Sequence, residues 1–341
     1  MTGKAADRVP DARIRIVHRA DGRYPFLHDT MIARLGGRLL LAWYNCTENE
    51  IEGHTVIRGR WSDDEGSSWS APETVAEDLS GKYHMVPVTF AETGGMILAY
   101  ATEMTSHDRP TGYRCCAYDN GSWIEKARLD VPVLINTLPQ RCGGTLMAGG
   151  RMAEYTGGEP LIPVILRLRK DDARVWEPQP LPGPWDSGDH TPRIPETAIL
   201  IDGSHVDALV RNDSGRALCF ASDDEGASWS GGAEIGFDTV PSKMYGGSLP
   251  DGRQYLIYNE PVGGDPRGRS ILVISIREGA GRPFGRSFIL ADGYDDGLRA
   301  GPYWHYPCAC VSDEWLHVSC TVSDRSVIRH AAVISVPISR L

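Results

Sequence analysis

Short runs rich in β-branched and aromatic residues, broken by Gly- or Asp-containing turns, recur along the chain. Thr30–Leu35 and Arg38–Tyr44 flank Gly36-Gly37, and Thr197–Ile201 and His205–Val210 flank Asp202-Gly203. Met244–Leu249 and Gln254–Tyr258 flank Asp251-Gly252, and Cys308–Val311 and Trp315–Cys320 flank Ser312-Asp313. Such runs around tight turns predict antiparallel hairpins. No long stretch carries an apolar period of 3.6 residues, so little helix is expected.

A second pattern punctuates the hairpins. Ser62-Asp63-Asp64-Glu65-Gly66-Ser67-Ser68-Trp69 returns almost unchanged as Ser222-Asp223-Asp224-Glu225-Gly226-Ala227-Ser228-Trp229. The motif S-x-D-x-G-x-x-W makes sense as a tight turn: Ser and Asp bond nearby amides, Gly takes positive φ, and Trp packs beneath. Decayed copies are read at Asp119-Asn120-Gly121-Ser122-Trp123, at Asp171-Asp172 with Trp176, at Ser275 with Gly279, and at Ser323-Asp324. Starts near 62, 117, 169, 222, 275 and 323 give steps of about 48 to 55 residues, the length of a four-stranded propeller blade. Six periods fill the chain. The expectation is an all-β protein, one six-bladed β-propeller of four-stranded antiparallel blades spanning residues 1–341.

Composition narrows the function. Apolar residues make up 41%, with 38 Gly and 23 Pro spread throughout, which fits one turn-rich globular unit without a linker. A net charge of -10 argues against a nucleic-acid partner. An acidic sugar stays open, because a local cluster of Arg and His suffices to bind a carboxylate. No apolar stretch is long enough to span a bilayer, so no membrane partner is expected. Met1 to Asp11 is polar and lacks a signal-peptide core, so a cytoplasmic location is expected. The eight Cys, including Cys115-Cys116 and Cys308-Ala309-Cys310, lack zinc spacing and read mostly as buried thiols. No metal and no cofactor is implied: neither a Gly-rich phosphate loop nor a G-x-S-x-G elbow is present.

Topology then selects candidate residues. In a propeller, the residues just before each innermost strand and just after the second strand meet at one mouth of the central channel. Counting back seven to ten positions from each hairpin turn gives His28, His84, Arg141, Glu196, Lys243 and Tyr306. Counting forward gives Asn45, Glu103, Arg211 and Asn259. All are polar, and a convergent set of acid, base and cation suits an anionic sugar. Glu196 and Arg211 flank Asp202-Gly203 symmetrically, so antiparallel pairing brings them to one end of their sheet.

These boxes and this ring resemble the sialidase superfamily of Asp-box propellers over the whole chain. The box itself is a folding motif shared by glycosidases, lyases and non-catalytic propellers. Ile194-Pro195-Glu196, Asp202-Gly203, Arg211-Asn212 and Ser222 together resemble the segment carrying the family's catalytic Glu and second carboxylate-binding Arg. Tyr306, in His305-Tyr306-Pro307, resembles its Tyr, with Tyr303 competing for the role. A neutral phenol there avoids the repulsion a carboxylate nucleophile would meet at an anomeric carbon that bears a carboxylate. Arg269, or Arg267, resembles a further carboxylate-binding Arg, and Glu50 is nearest in register to the family's general acid, an Asp. The chain departs from the family at strand one: Tyr24-Pro25-Phe26-Leu27-His28-Asp29 stands where an Arg-Ile-Pro signature is expected.

The resemblance implies an exo-acting glycoside hydrolase releasing a terminal acidic sugar, sialic acid or a related keto-sugar acid. His28, His84 and either His190 or His305 at the mouth offer another chemistry, a propeller lyase cleaving uronate glycans by β-elimination. A non-catalytic glycan-binding propeller is the third reading.

Overall fold

The computed structural model describes residues 7–107, 109–153, 161–183, 192, 194–263, 268–293, 302–323 and 329–341. Six antiparallel sheets follow one another along the chain as the blades of a propeller. Blade one comprises Phe26–Leu35, Arg38–Cys46, Thr55–Ser62 and Glu73–Glu77. Blade two comprises His84–Thr93, Met96–Met104, Pro110–Asp119 and Ser122–Leu129. Blade three has a split inner strand, Val133–Ile135 and Gln140–Cys142, then Thr145–Met152, Ile162–Leu168 and Trp176–Pro180. Blade four runs Thr197–Asp202, His205–Val210, Leu218–Ser222 and Ala233–Glu234, and blade five Tyr245–Ser248, Gln254–Asn259, Ile271–Arg277 and Arg286–Asp292. Blade six takes Tyr303–Val311, Trp315–Ser323 and Arg329–Pro337, and its outer strand is Arg13–Arg19 from the start of the chain. A single 3-10 turn, Ile338–Arg340, is the only helical element among the described residues.

Burial explains the strand order. The inner strand Phe26–Leu35 is buried at nearly every position, because neighbouring blades cover both its faces. The outer strand Ser122–Leu129 is mostly exposed, with only Trp123, Ala127 and Leu129 partly covered. Burial therefore falls sharply at the outermost strand of this pair, which faces solvent on the rim. Blades approach closely where glycine permits it: a Cβ on Gly149, in the second strand of blade three, would collide with the carbonyl oxygen of Thr197 in the inner strand of blade four.

The two full boxes join the third strand to the fourth at the rim of blades one and four. The Ser62 hydroxyl donates to Asp64 at 2.9 Å and accepts the Gly66 N–H at 2.9 Å, and Asp64 accepts the Ser68 N–H at 2.7 Å. Ser222, Asp224, Gly226 and Ser228 repeat these bonds at 2.7 to 2.8 Å. Gly66 and Gly226 have φ of 78° and 79°, as the motif requires. In blade two the decayed copy is a two-residue turn with Asn120 and Gly121 at positive φ. The sixth period does not end as expected. Ser323 closes the second strand of blade six, and Asp324 lies outside the described residues. That blade has no third-to-fourth corner to build, because its fourth strand comes from the other end of the chain.

Irregularities in the inner strands matter most for function. Register shifts lie between His28 and Met31 in blade one, Met85 and Val88 in blade two, and His305 and Cys308 in blade six. Each inserts extra residues just where the strand leaves the mouth, re-aiming the side chains there. Two of those residues, Asp29 (φ 49°) and Tyr306 (φ 53°), hold left-handed backbone conformations unusual for non-glycine residues. In blade three the hairpin turn is Gly143-Gly144, so Arg141 lies exposed beside the turn, at the end of the hairpin away from the mouth. Its expected place at the mouth is corrected accordingly. The residue seven positions before Gly143 is Asn136.

Candidate active site at the centre of the ring

A cavity of about 100 Å³ opens where the inner strands converge. Asp29, Tyr44 and Glu50 of blade one, Asn136 and Arg151 of blade three, Glu196 of blade four and Tyr306 of blade six line its polar side. Ile51, Val86, Pro87, Met104 and Leu134 line the apolar side.

Tyr306 is the hub. Arg211 Nη1 donates to Glu196 Oε2 at 2.8 Å and to the Tyr306 hydroxyl at 3.4 Å, so one guanidinium nitrogen ties the carboxylate to the phenol. The Arg269 guanidinium lies 5.4 Å, and Lys243 Nζ 5.7 Å, from the centre of the Tyr306 ring. The His28 ring lies 4.5 Å from it, centre to centre. Lys243 Nζ also donates to Asp29 Oδ1 at 2.6 Å, both side chains being buried. Arg269 Nη1 meets His305 Nδ1 at 2.9 Å, and His305 Nε2 meets the Ser323 hydroxyl at 2.6 Å. An Arg donor requires Nδ1 to accept, so His305 carries its proton on Nε2 and donates to Ser323.

Electrostatics set Glu196 and Tyr306 apart. Burial alone would raise the Glu196 carboxyl, but Arg211 and Arg151 outweigh it and hold it below the usual range. Burial, reinforced by the Glu196 charge, pushes the Tyr306 phenol well up. At neutral pH Glu196 is therefore an anion and Tyr306 a neutral phenol. Burial keeps His28 uncharged, and burial raises the Asp29 carboxyl more than Lys243 lowers it. Among the described residues, Arg151, Arg211, Lys243, Arg269 and Arg329 stand around Asp29, Glu50 and Glu196.

Of the residues singled out from sequence, Glu196, Arg211, Tyr306, Arg269, Lys243, His28 and His305 come together here. Glu50 lines the same cavity, with the Tyr44 hydroxyl donating to its Oε1 at 3.2 Å and Arg329 at 3.7 Å. His84 turns instead to the Thr55 hydroxyl, 3.1 Å away, and does not line the cavity. Asn45 donates to the Phe26 carbonyl at 2.9 Å, and Asn259 to the Trp304 carbonyl at 3.0 Å, bracing strands. Glu103 accepts from Arg114 at 2.7 Å and Arg128 at 2.6 Å within blade two. Arg267 and His190 lie outside the described residues. Asp29, Asn136 and Arg151 were not foreseen. Counting from Gly143-Gly144 as the blade-three turn would have found the last two.

The BNR repeat-like domain model matches residues 37–318. No curated protein matches the chain. Among solved structures, a protein of unknown function from Dyadobacter fermentans aligns with a TM-score of 0.73 at 14% identity, over 96% of this chain and 99% of its own. The NanB sialidase of Streptococcus pneumoniae aligns at 0.71 and 13%, over 96% of this chain and 71% of that one. The Trypanosoma rangeli sialidase aligns at 0.71 and 12%, over 97% and 60% respectively. At such identities these likenesses speak for the fold. The chain belongs to the BNR repeat-like domain family, as a six-bladed propeller of sialidase-like fold.

Proposed function

We propose that this protein is an exo-acting glycoside hydrolase that releases a terminal acidic sugar, of the sialic or keto-sugar-acid kind. The observation that carries the reading is the sharing of Arg211 Nη1 between Glu196 and Tyr306, 2.8 and 3.4 Å away, with the Arg269 guanidinium over the phenol ring. Tyr306 Oη attacks the anomeric carbon while its proton passes to Glu196. Glu50 gives a proton to the departing glycosidic oxygen as the bond to carbon breaks. Water then attacks the same carbon, losing its proton to Glu50, and Tyr306 leaves with the proton returned by Glu196. The neutral resting phenol suits a substrate whose anomeric carbon bears a carboxylate, and Arg211 and Arg269 are the cations offered to that carboxylate. Two structures of this fold being sialidases supports the same direction. All eight cysteines are free thiols, which fits a cytoplasmic setting.

A β-eliminating uronate lyase is the second reading, favoured by the neutral His28 ring tilted against Tyr306. Aryl glycosides of acidic sugars and uronate oligomers separate the two: hydrolysis releases aglycone without ultraviolet-absorbing unsaturated sugar, whereas elimination produces it. Tyr306→Phe and Glu196→Gln should each lower turnover by at least ~10²-fold. Unchanged turnover in either would remove that residue from the mechanism, and saturable sugar binding without turnover would make the protein a binding module.

A further inference from the structure

Blade three breaks its inner strand at the mouth, and the break is firmly anchored. The Asn136 N–H donates to the Gly149 carbonyl at 2.9 Å, and Gly149 N–H to the Thr137 hydroxyl at 2.9 Å. The Thr89 hydroxyl of blade two donates to the Thr137 carbonyl at 2.9 Å. Gln140 Nε2 donates to the Ile199 and Gly246 carbonyls of blades four and five at 3.0 and 2.9 Å. Four blades thus fix the segment that carries Asn136. Its side chain is 2% exposed and lines the cavity shared by Glu196 and Tyr306, yet its Oδ1 has no hydrogen-bond partner among the described residues.

A buried acceptor without a partner costs about 1–3 kcal/mol. Nothing in the backbone compels the side chain to stand there for folding, since the main chain of the break makes its own bonds. Held rigidly and unsatisfied, Asn136 is preorganised for a donor brought by a ligand.

We propose that Asn136 is a specificity-determining residue, whose Oδ1 accepts a hydrogen bond from a hydroxyl or N–H substituent of the glycone seated at the floor of the central cavity. This rests on the hydrolase reading for its substrate, but not for its test. An analogue lacking that donor would leave Oδ1 unpaired at closest approach, and a site built around a polar contact discriminates strongly against such analogues.

The experiment is a cycle between protein and ligand. Aryl glycosides of an acidic sugar, each missing one hydroxyl or amino group, are assayed with wild type and Asn136→Ala, and the corresponding free sugars are titrated calorimetrically. Wild type should lose about tenfold or more in kcat/KM at one substituent. Asn136→Ala should lose as much on the intact sugar and nothing further on that one analogue. Asn136→Ser, with melting temperature as control, serves if the alanine variant folds poorly. Equal losses on every analogue would mean that Asn136 only shapes the floor, and would overturn the proposal. So would the absence of any sensitive position, or of any sugar binding. If the cycle closes in binding constants while no glycoside is turned over, the hydrolase reading falls and the role of Asn136 stands.

Discussion

Lys243→Met is the most informative stability experiment this structure offers. Lys243 in blade five and Asp29 in blade one meet across the centre at 2.6 Å, with side-chain exposures of 1% and 7%. Removing the ammonium strands a carboxylate that water barely reaches. Loss of one partner from a buried pair costs about 3–5 kcal/mol. The cation over the Tyr306 ring at 5.7 Å adds only about 0.5–1 kcal/mol, so the ion pair dominates. Such a loss is a large share of a typical stability of about 5–15 kcal/mol. Urea unfolding should register it as a lower midpoint at unchanged slope. Adding Asp29→Asn should return most of the loss, because the charge that needed compensation is gone. A pH dependence accompanies this. Burial already holds the folded-state Asp29 carboxyl above its usual value, and without Lys243 it rises further. A raised folded-state value contributes stability at low pH that is lost as pH climbs through it. The gap between Lys243→Met and wild type should therefore narrow on acidification. A loss below about 1 kcal/mol, or a double variant no better than the single one, would refute the view that these charges depend on each other.

Two further outcomes follow from the blades. His205 sits between Asp223, 2.7 Å from Nδ1, and Asp207, 3.0 Å from Nε2; burial lowers its pKa, but the carboxylates outweigh it and the value lies above 6.5. Its stabilising contribution is full below about pH 6.5 and fades as pH rises through the folded-state value, so His205→Gln should flatten the thermal-stability profile in that range. Identical profiles for variant and wild type would discard this. Gly149→Ala should destabilise by about 1–3 kcal/mol or more in urea unfolding, because a Cβ there meets the Thr197 backbone oxygen, which a rotamer change cannot move. A neutral result would mean the second strand of blade three and the inner strand of blade four can separate freely.

How far the sequence spoke depended on strand regularity. The box turns and Gly- and Asp-centred hairpins are local devices with fixed chemistry, so Ser62, Asp64, Gly66 and their copies announced the blades directly. Glu196 and Arg211 were legible because blade four is regular from Thr197 through Val210. In blades one and two, extra residues at the mouth break the count. Asn45 and Glu103 were chosen where Tyr44 and Met104 line the cavity, since a one-residue slip reverses the face of a strand. Asp29 went unremarked beside His28 for the same reason: only a bulge with positive φ turns it inward. Arg151 and Asn136 stayed hidden behind a split strand that no periodicity reveals.

The ring is closed by Arg13–Arg19 pairing with Arg329–Pro337, one from each end of the described chain. During synthesis the earliest of these strands leaves the ribosome long before its mate exists. It must wait as an unpaired edge while five blades assemble, and only then can the circle lock. The seam can thus form only after Arg329–Pro337 has been made, so the ring's closure is tied to the last part of the described chain.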